Sequence, residues 1–266
     1  MNMKGRVLVV AGSDSGGGAG IQADIKTITA LGGFAMTAVT ALTAQNTKGV
    51  TAVHAAPPGF VAEQIEVTLQ DLGADAVKTG MLADAAIIAA VADCLDRLAA
   101  GIPWVIDPVM VAKSGDRLLA SDAAEALKAR LVAKAAVVTP NLPEAAALTG
   151  REVATLANME AAGRALVAMG AKAALVKGGH LAGTMVVDVL VTGKGSKRFE
   201  SKRIETRHTH GTGCTLASAI ACSLAQGLGL EAAVGRAREY VQEAIRTAPG
   251  FGAGQGPLNH AHTVKS

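Results

Sequence analysis

The segment THGTGCTLASAIA, residues 209–221, places a cysteine beside two glycines directly before an apolar helical pattern. A glycine-rich turn that leads into a helix leaves backbone N–H groups unpaired, with the positive end of the helix dipole behind them. Such a turn suits the negative charge that builds up on a phosphoryl group during its transfer. We therefore expect an anion hole in the turn formed by Gly211, Thr212, Gly213 and Cys214.

Cys214 is expected to act as a general base in this turn. The helix dipole favours the thiolate and so lowers the pKa of a first-turn thiol, and a base beside an anion hole can take a proton from an attacking hydroxyl. Two alternatives stay open for Cys214: a small buried apolar residue, and a covalent nucleophile, although no histidine partner supports the second. Cys222, inside the following apolar helix, is expected to be buried and structural.

Four polar residues near the ends of apolar runs are candidates for binding a nucleotide and its metal. Asp107 ends one run, and Glu144 lies in the first turn of a helix after another, so the two carboxylates could hold a hydrated Mg²⁺ ion. Asn141 fits a contact to a phosphate or to the hydrated metal. Lys177 stands just before two glycines, where it could reach a phosphate. The alternatives are an exposed lysine and a glutamate that only complements the helix dipole.

The stretch AGSDSGGGAG, residues 11–20, forms a second glycine-rich turn between a strand and a helix. It matches neither the GxxxxGK[ST] phosphate loop nor the GxGxxG dinucleotide fingerprint. A tight corner would explain the glycines alone. The polar residues Ser13, Asp14 and Ser15, with Asp24 further into the helix, favour a loop that lines a ligand pocket.

Gln45 follows an apolar strand in the stretch TAQNTKGV. A carboxamide there could simply cap a turn. It can also donate and accept hydrogen bonds together, which suits a heteroaromatic ring that carries an amino group beside a ring nitrogen.

The composition limits the class of protein. Half of the 266 residues are hydrophobic but only 2% are aromatic, and the net charge is +3 with scattered Lys and Arg. This favours small anionic ligands over nucleic acid, which would need a basic stripe and stacking aromatics. Three cysteines without CxxC spacing predict neither a disulfide framework nor a zinc site. We expect a cytoplasmic protein with no membrane span. Of the histidines, the pair 208/210 is expected to be incidental, and His260 and His262 to lie on the surface.

The order of the elements predicts an α/β fold. Short β-branched runs such as RVLVVAG, AVKTG, PWVID, AVVTP and AALVKGG read as buried parallel strands, and Ala/Leu-rich helices alternate with them. Strand–helix alternation indicates a three-layer sandwich around a mostly parallel sheet. Residues 184–204 predict an antiparallel hairpin at the sheet edge. We expect a single domain over residues 1–266.

Taken together, the motifs resemble those of the bacterial hydroxymethylpyrimidine/phosphomethylpyrimidine kinase family, within the ribokinase-like superfamily. The resemblance extends in order over nearly the whole chain through AGSDSGGGAGIQADIKT, ALTAQNTKGV, KTGMLA, DPVMVAKSGDRLL, TPNLPEAAALTG, KGGH and THGTGCTLASAIA. It implies a ribokinase-like fold and two successive ATP- and Mg²⁺-dependent phosphorylations in thiamine biosynthesis. The acceptors would be 4-amino-5-hydroxymethyl-2-methylpyrimidine and then its monophosphate.

The resemblance also implies roles for single residues. Gln45 would bind the pyrimidine, with Asp24 and the Gly12 turn lining its pocket and Met81 covering it. Asn141, Glu144 and Lys177 would serve Mg-ATP. Cys214 would stand where sugar kinases of the superfamily carry an aspartate base, and the protein would be a homodimer.

Two other functions stay open at this point. A pyridoxine/pyridoxal kinase of the same fold would also phosphorylate a hydroxymethyl group on a nitrogen heterocycle. A pyrimidine-binding sensor without transfer is the alternative from another class.

Overall fold

The computed structural model describes residues 3–110, 118–119 and 123–264. Most of the motif at 107–119 therefore lies outside the described residues. The strands are β1 Arg6–Asp14, β2 Phe34–Asn46, β3 Gly49–Ala55, β4 Ala76–Thr79, β5 Trp104–Ile106, β6 Val137–Val138, β7 Ala173–Val176, β8 Met185–Thr192 and β9 Gly195–Lys202. The helices are α1 Gly20–Ala30, α2 Pro58–Asp71, α3 Ala85–Leu98, α4 Ala123–Arg130, α5 Leu142–Thr149, α6 Leu156–Ala168, α7 Thr212–Ala225 and α8 Leu230–Arg246, with a 3₁₀ turn at Val132–Lys134.

The strands form one sheet in the order β3-β2-β1-β4-β5-β6-β7-β8-β9. Strands β2, β1, β4, β5, β6 and β7 run parallel to one another. The five apolar runs singled out in the sequence are β1 and β4 to β7, which confirms the predicted α/β fold with a mostly parallel sheet.

Both edges of the sheet are antiparallel. Strands β8 and β9 pair from Met185↔Lys202 to Thr192↔Gly195, which confirms the predicted hairpin. A second antiparallel pair, β2 with β3, forms the opposite edge and was not expected. Residues 51–55 of β3 are all exposed, so this strand lacks the apolar pattern that identifies the buried strands.

Helices cover both faces of the sheet because the central strands are apolar on both sides. In β1, Val7 and Val9 pack in a core with α1, α7 and α8. The alternate residues Leu8 and Val10 pack in a second core with α2, α3 and α4. This alternation produces the three layers expected from the sequence.

The sheet has its topological switch point between β1 and β4, because the chain continues from β1 to β2 on one side and β4 lies on the other. In open sheets of this kind ligands bind beyond the carboxyl ends of the strands at such a point. Among the helices that the structure describes, none is both long and apolar enough to cross a membrane.

Candidate active site

A cavity of about 870 Å³ lies beyond the carboxyl ends of the parallel strands. Its lining includes eleven of the twelve residues to which the sequence assigns a role in binding or catalysis, namely Gly12, Gln45, Met81, Asp107, Asn141, Glu144, Lys177, Gly211, Thr212, Gly213 and Cys214. The structure thus gathers residues from seven separate strand ends and turns at one site. Asp24 is the exception.

The glycine-rich turn after β1 is organised by Asp14. Its carboxylate accepts hydrogen bonds from the backbone N–H groups of Gly16, Gly18 and Ala19 at 2.8–3.0 Å. The same carboxylate lies 2.7 Å from Nε2 of His210. Burial tends to raise the pKa of Asp14, but these donors outweigh it, so the pKa is below its ordinary value.

The turn and the neighbouring strand ends form one half of the cavity. A Cβ atom on Gly12 would stand 3.0 Å from the sulfur of Met81, so glycine is needed for the close approach of these two residues. Gln45 lies at the end of β2, and its Oε1 is 3.0 Å from Oγ1 of Thr43. This half of the cavity therefore offers a thioether, an amide and backbone to a small ring.

Asp24 does not line the cavity, which corrects the expectation from the sequence. Its side chain is fully buried in α1, where its oxygens lie 2.8 and 2.9 Å from Nζ of Lys78 and one accepts from Oγ of Ser218 at 2.6 Å. Burial opposes the charged form of Lys78, but Asp24, followed by Cys214 and Asp107, outweighs it and raises the pKa of Lys78 above its ordinary value. Asp24 thus lies beneath the floor of the cavity.

Asp107, Glu144 and Lys177 meet in the other half of the cavity. Nζ of Lys177 lies 2.9 Å from Oδ1 of Asp107 and 4.0 Å from Oε2 of Glu144. Burial alone lowers the pKa of Lys177, but the two carboxylates raise it above its ordinary value. Oγ1 of Thr139 also donates to Asp107 at 3.0 Å. Lys177 is therefore not an exposed lysine.

Asn141 and Glu144 form a capping box at the start of α5. Oδ1 of Asn141 accepts from the Glu144 N–H at 2.9 Å, and Oε2 of Glu144 accepts from the Asn141 N–H at 2.7 Å. Burial raises the pKa of Glu144 to about 7, assisted by Asp107 and opposed by Lys177. Glu144 therefore caps the helix and also faces the cavity. No cluster of three or more metal-ligating side chains occurs in the part of the chain that is described.

The second glycine-rich turn begins α7 as expected. Gly211, at φ +86°, is its N-cap, and a Cβ atom there would stand 1.8 Å from the backbone oxygen of Gly18. The N–H groups of Gly213 and Cys214 lie in the first helical turn, which has no intrahelical acceptors. A Cβ atom on Gly213 would stand only 3.2 Å from Nζ of Lys177. The turn and the lysine therefore face the same small space.

The pKa of Cys214 is not lowered, contrary to expectation. Burial raises it to about 11, and Asp24 and Asp107 contribute in the same direction. Lys78 and a hydrogen bond from the Gly20 backbone oppose this effect without cancelling it. The expectation considered the helix dipole alone, whereas the nearby carboxylates and the loss of water have the larger effect.

Two histidines lie in surroundings different from those predicted. His210 is buried against Asp14 instead of being incidental. His260 is buried rather than on the surface, and its Nε2 lies 2.9 Å from Oγ1 of Thr215. Burial lowers the pKa of His260 to about 4. Neither partner is close in sequence, so residue spacing carried no signal for these contacts.

Arg203 is a further residue that the sequence did not indicate. Its guanidinium donates to the backbone oxygens of Gly179, Leu181 and Gly183 at 2.5–3.0 Å. It thus holds the loop that follows Lys177 along the rim of the cavity.

Comparison with known proteins identifies the family of the chain. The family profile described as Phosphomethylpyrimidine kinase matches residues 14–259. The chain belongs to the phosphomethylpyrimidine kinase family. It is therefore a phosphotransferase rather than a sensor without transfer, and the sequence resemblance is confirmed.

The names of curated relatives agree with this family assignment. The chain is 50% identical over 254 residues to the hydroxymethylpyrimidine/phosphomethylpyrimidine kinase of Streptomyces coelicolor, covering 96% of this chain and 93% of that protein. It is 51% identical over 257 residues to the Thiamine biosynthesis bifunctional protein ThiED of Geobacter sulfurreducens, covering 97% of this chain. The chain spans only 52% of the length of that bifunctional protein.

Solved structures with the same fold include two related kinases. An ADP complex of Bacillus subtilis pyridoxal kinase matches with a TM-score of 0.90 at 36% identity, covering 97% of this chain and 98% of that one. The phosphomethylpyrimidine kinase of Clostridium difficile matches with a TM-score of 0.81 at 41% identity, covering 91% and 100% respectively. The phosphomethylpyrimidine kinase family thus shares its fold with pyridoxal kinases.

Proposed function

We propose that this kinase phosphorylates the hydroxymethyl group of 4-amino-5-hydroxymethyl-2-methylpyrimidine and then the resulting monophosphate, using ATP for both steps of thiamine biosynthesis. The position of Lys177 carries the proposal. Its Nζ lies 2.9 Å from Asp107 and 3.2 Å from the point where a Cβ on Gly213 would stand. One cation therefore joins the paired carboxylates to the anion hole, which suits the phosphate that is transferred.

The carboxylate side of the cavity is assigned to Mg-ATP. Asp107 and Glu144 supply the hard oxygen donors that Mg²⁺ takes, and two carboxylates suffice because Mg²⁺ keeps much of its water. The residues present therefore fit a hydrated Mg²⁺ ion, which when bound would neutralise charge on the nucleotide phosphates. Lys177 and the N–H groups of Gly213 and Cys214 would hold the terminal phosphoryl group. The ADP complex of the Bacillus subtilis relative supports a nucleotide as co-substrate.

The opposite side of the cavity is assigned to the pyrimidine. The carboxamide of Gln45 can bind a ring nitrogen and an adjacent amino group together. Gly12 and Met81 would cover the apolar face of the ring, since they already pack against each other there. Asp24 lies beneath the floor of the cavity and would not contact the pyrimidine directly.

The two steps place different demands on Cys214. In the first step the acceptor is a neutral alcohol: its proton passes to the sulfur, its oxygen bonds to the γ-phosphorus, and the bond from that phosphorus to the bridging oxygen of ADP breaks. In the second step the acceptor is already an anionic phosphate and has no such proton to lose. We assign Cys214 as the general base of the first step, with the turn from Gly211 as the anion hole of both.

A second candidate, pyridoxal kinase activity, is favoured by the likeness to the Bacillus subtilis pyridoxal kinase at a TM-score of 0.90. Pyridoxal also carries a hydroxymethyl group on a nitrogen heterocycle. Pyridoxal would give a single phosphorylated product, whereas the pyrimidine would give a monophosphate and then a diphosphate. The products therefore distinguish the two activities.

We also propose that residues 1–266 form a single domain that works as a homodimer in the cytoplasm. One continuous sheet carries the described strands, which supports the single domain. Exposed apolar side chains at Leu42, Val53 and Phe60, on the β2–β3 edge and the adjacent α2, support a dimer. The free cysteines at 94, 214 and 222 suit a reducing compartment. Light scattering of the purified chain tests the dimer directly.

Mass spectrometry of the reaction products tests the function. The purified chain is incubated with the hydroxymethylpyrimidine, ATP and Mg²⁺, and in parallel with pyridoxal. Monophosphate followed by diphosphate is expected from the pyrimidine. Monophosphate alone would contradict the two-step reaction, and phosphorylation of pyridoxal alone would favour the second candidate.

A further inference from the structure

Lys78 and Asp24 form a fully buried ion pair below the cavity. Both side chains are 0% exposed, and Nζ of Lys78 approaches both carboxylate oxygens, at 2.8 and 2.9 Å. Burying two charges is costly, and apolar side chains of similar volume stabilise a core at least as well. Packing alone therefore does not explain why charges stand at this place.

Ser218 relates this ion pair to Cys214. Its Oγ donates to Oδ1 of Asp24 at 2.6 Å. Ser218 follows Cys214 by four residues in α7, so the two side chains lie on the same face of the helix, one turn apart. Ser218 therefore attaches the ion pair to the face of α7 that carries Cys214, and Lys78 and Cys214 line the same cavity.

The two charges of the pair differ in how they face the cavity. Both oxygens of Asp24 are held by Lys78, and one is also held by Ser218. An ammonium group has three N–H donors. Two of them are directed at Asp24, so a third N–H donor remains. A Cβ atom on Gly80 would stand 3.0 Å from Nζ, so the glycine keeps the space beside the ammonium open.

We propose that Lys78 is a positioning residue for the first phosphorylation: its ammonium, held by Asp24 and Ser218, stabilises the thiolate of Cys214 that accepts the proton of the substrate hydroxyl. This inference rests on the proposed function of Cys214 as general base. The proton moves from the hydroxymethyl oxygen to sulfur, and it leaves to solvent once the product has departed. Asp24 serves to fix the cation, not to bind the pyrimidine.

The charges around Cys214 make this assistance necessary. The groups that act on it are Lys78, Asp24, Asp107 and Lys177. A thiol with a pKa of about 11 is mostly protonated near neutral pH, so the thiolate needs a nearby cation. Lys78 has the largest favourable effect, and Asp24 acts in the opposite direction.

Two variants that break the same ion pair provide the test. Lys78→Met removes the cation and leaves the carboxylate, whereas Asp24→Asn removes the carboxylate and leaves the cation. Alkylation of Cys214 by iodoacetamide is followed against pH by peptide mass spectrometry, without nucleotide or pyrimidine. Each tenfold change in thiolate fraction corresponds to about one pKa unit. We expect alkylation near pH 8 to fall about tenfold in Lys78→Met and to rise in Asp24→Asn.

A role in packing alone predicts a different result. Both substitutions would then loosen the same site and change alkylation in the same direction. Such a result, or an unchanged pH midpoint in both variants, would overturn the proposal. If circular dichroism finds Lys78→Met unfolded, the double variant Lys78→Met/Asp24→Asn removes both charges. Its alkylation midpoint should still rise, because the effect of Lys78 on Cys214 exceeds that of Asp24; a midpoint at or below that of the unaltered protein would contradict the proposal.

Product analysis separates this inference from the proposed function. In Lys78→Met we expect the rate of the first phosphorylation to fall at least tenfold more than that of the second. If the unaltered chain forms no phosphorylated pyrimidine, the proposed function fails, while the opposite alkylation shifts of the two variants still report on the cation below Cys214. If the chain is active and both steps fall equally, the assignment of Lys78 fails alone.

Discussion

Nε2 of His210 lies 2.7 Å from Oδ2 of Asp14, across a separation of 196 residues. The contact joins the glycine-rich turn after β1 to the residue just before the glycine-rich turn that begins α7. The same oxygen of Asp14 accepts from the N–H groups of Gly18 and Ala19. One carboxylate therefore sets the position of both turns relative to each other.

Replacing His210 by Ala is expected to weaken pyrimidine binding and to lower stability. Asp14 is buried and would lose a partner, which typically costs about 1–3 kcal/mol. We expect the KM for the pyrimidine to rise about tenfold, with a smaller change in the KM for ATP. His54→Ala, on the exposed face of β3, makes the same chemical change and should leave both constants unchanged. Equal increases in both KM values would argue against a link to the pyrimidine side.

Replacing Cys214 by Ala is expected to separate the two phosphorylations. Loss of a general base costs about 10²–10⁴ in rate, and only the first step has an alcohol proton to remove. The rate of each step is measured with its own acceptor. The matched control is Cys222→Ala, two turns further along α7 and outside the cavity lining. Equal losses in both steps would mean that Cys214 acts through the geometry of the turn.

Replacing Glu144 by Gln is expected to change how stability depends on pH. The folded pKa of about 7 exceeds the ordinary value of 4.5, so between these values the folded protein holds a proton that the unfolded chain has lost. The folded state therefore loses stability as pH rises from 4.5 to 7. Gln keeps the capping box and removes the charge. The thermal midpoint of Glu144→Gln, relative to the unaltered protein, should be higher at pH 8 than at pH 5. A pH-independent difference would contradict the raised pKa.

Replacing Gly213 by Ala is expected to impair phosphoryl transfer without unfolding the protein. The added methyl group would stand 3.2 Å from Nζ of Lys177 and 3.7 Å from Oδ2 of Asp107, and so would displace the lysine or fill its space. We expect kcat to fall at least tenfold, up to the loss of about 10²–10³ that removal of one oxyanion donor causes. Gly235→Ala, in α8 with nothing near its Cβ position, is the control and should keep full activity.

Much of the fold follows from local sequence patterns. Strands β1 and β4 to β7 are apolar on both faces, and that pattern identifies buried parallel strands wherever it occurs. Strand β3 could not be predicted from the apolar pattern. Its residues 51–55 are all exposed, so neither face of the strand is buried. Turns rich in glycine and polar residues located the cavity, since the carboxyl ends of parallel strands meet at one edge.

The details of the site depend on contacts between distant segments, which no local pattern encodes. From the sequence, Lys78 is expected to be a polar residue at a strand end. Its ammonium is instead buried in the interior, where Asp24 forms an ion pair with it. His260 follows a run of glycines and small polar residues that suggests an exposed tail, yet Thr215 holds it in the core. The pKa of Cys214 likewise depends on carboxylates from α1 and the end of β5.

The contact between Gly211 and Gly18 has a consequence for the evolution of this site. A side chain at position 211 would overlap the backbone oxygen of Gly18, since its first atom would stand 1.8 Å away. No single substitution at 211 is compatible with the present path of the first turn. Any descendant that acquires a side chain there must already have moved that turn, and with it the half of the cavity that the turn after β1 lines. A change away from glycine at this position in a related sequence would therefore indicate that the path of the first turn has changed as well.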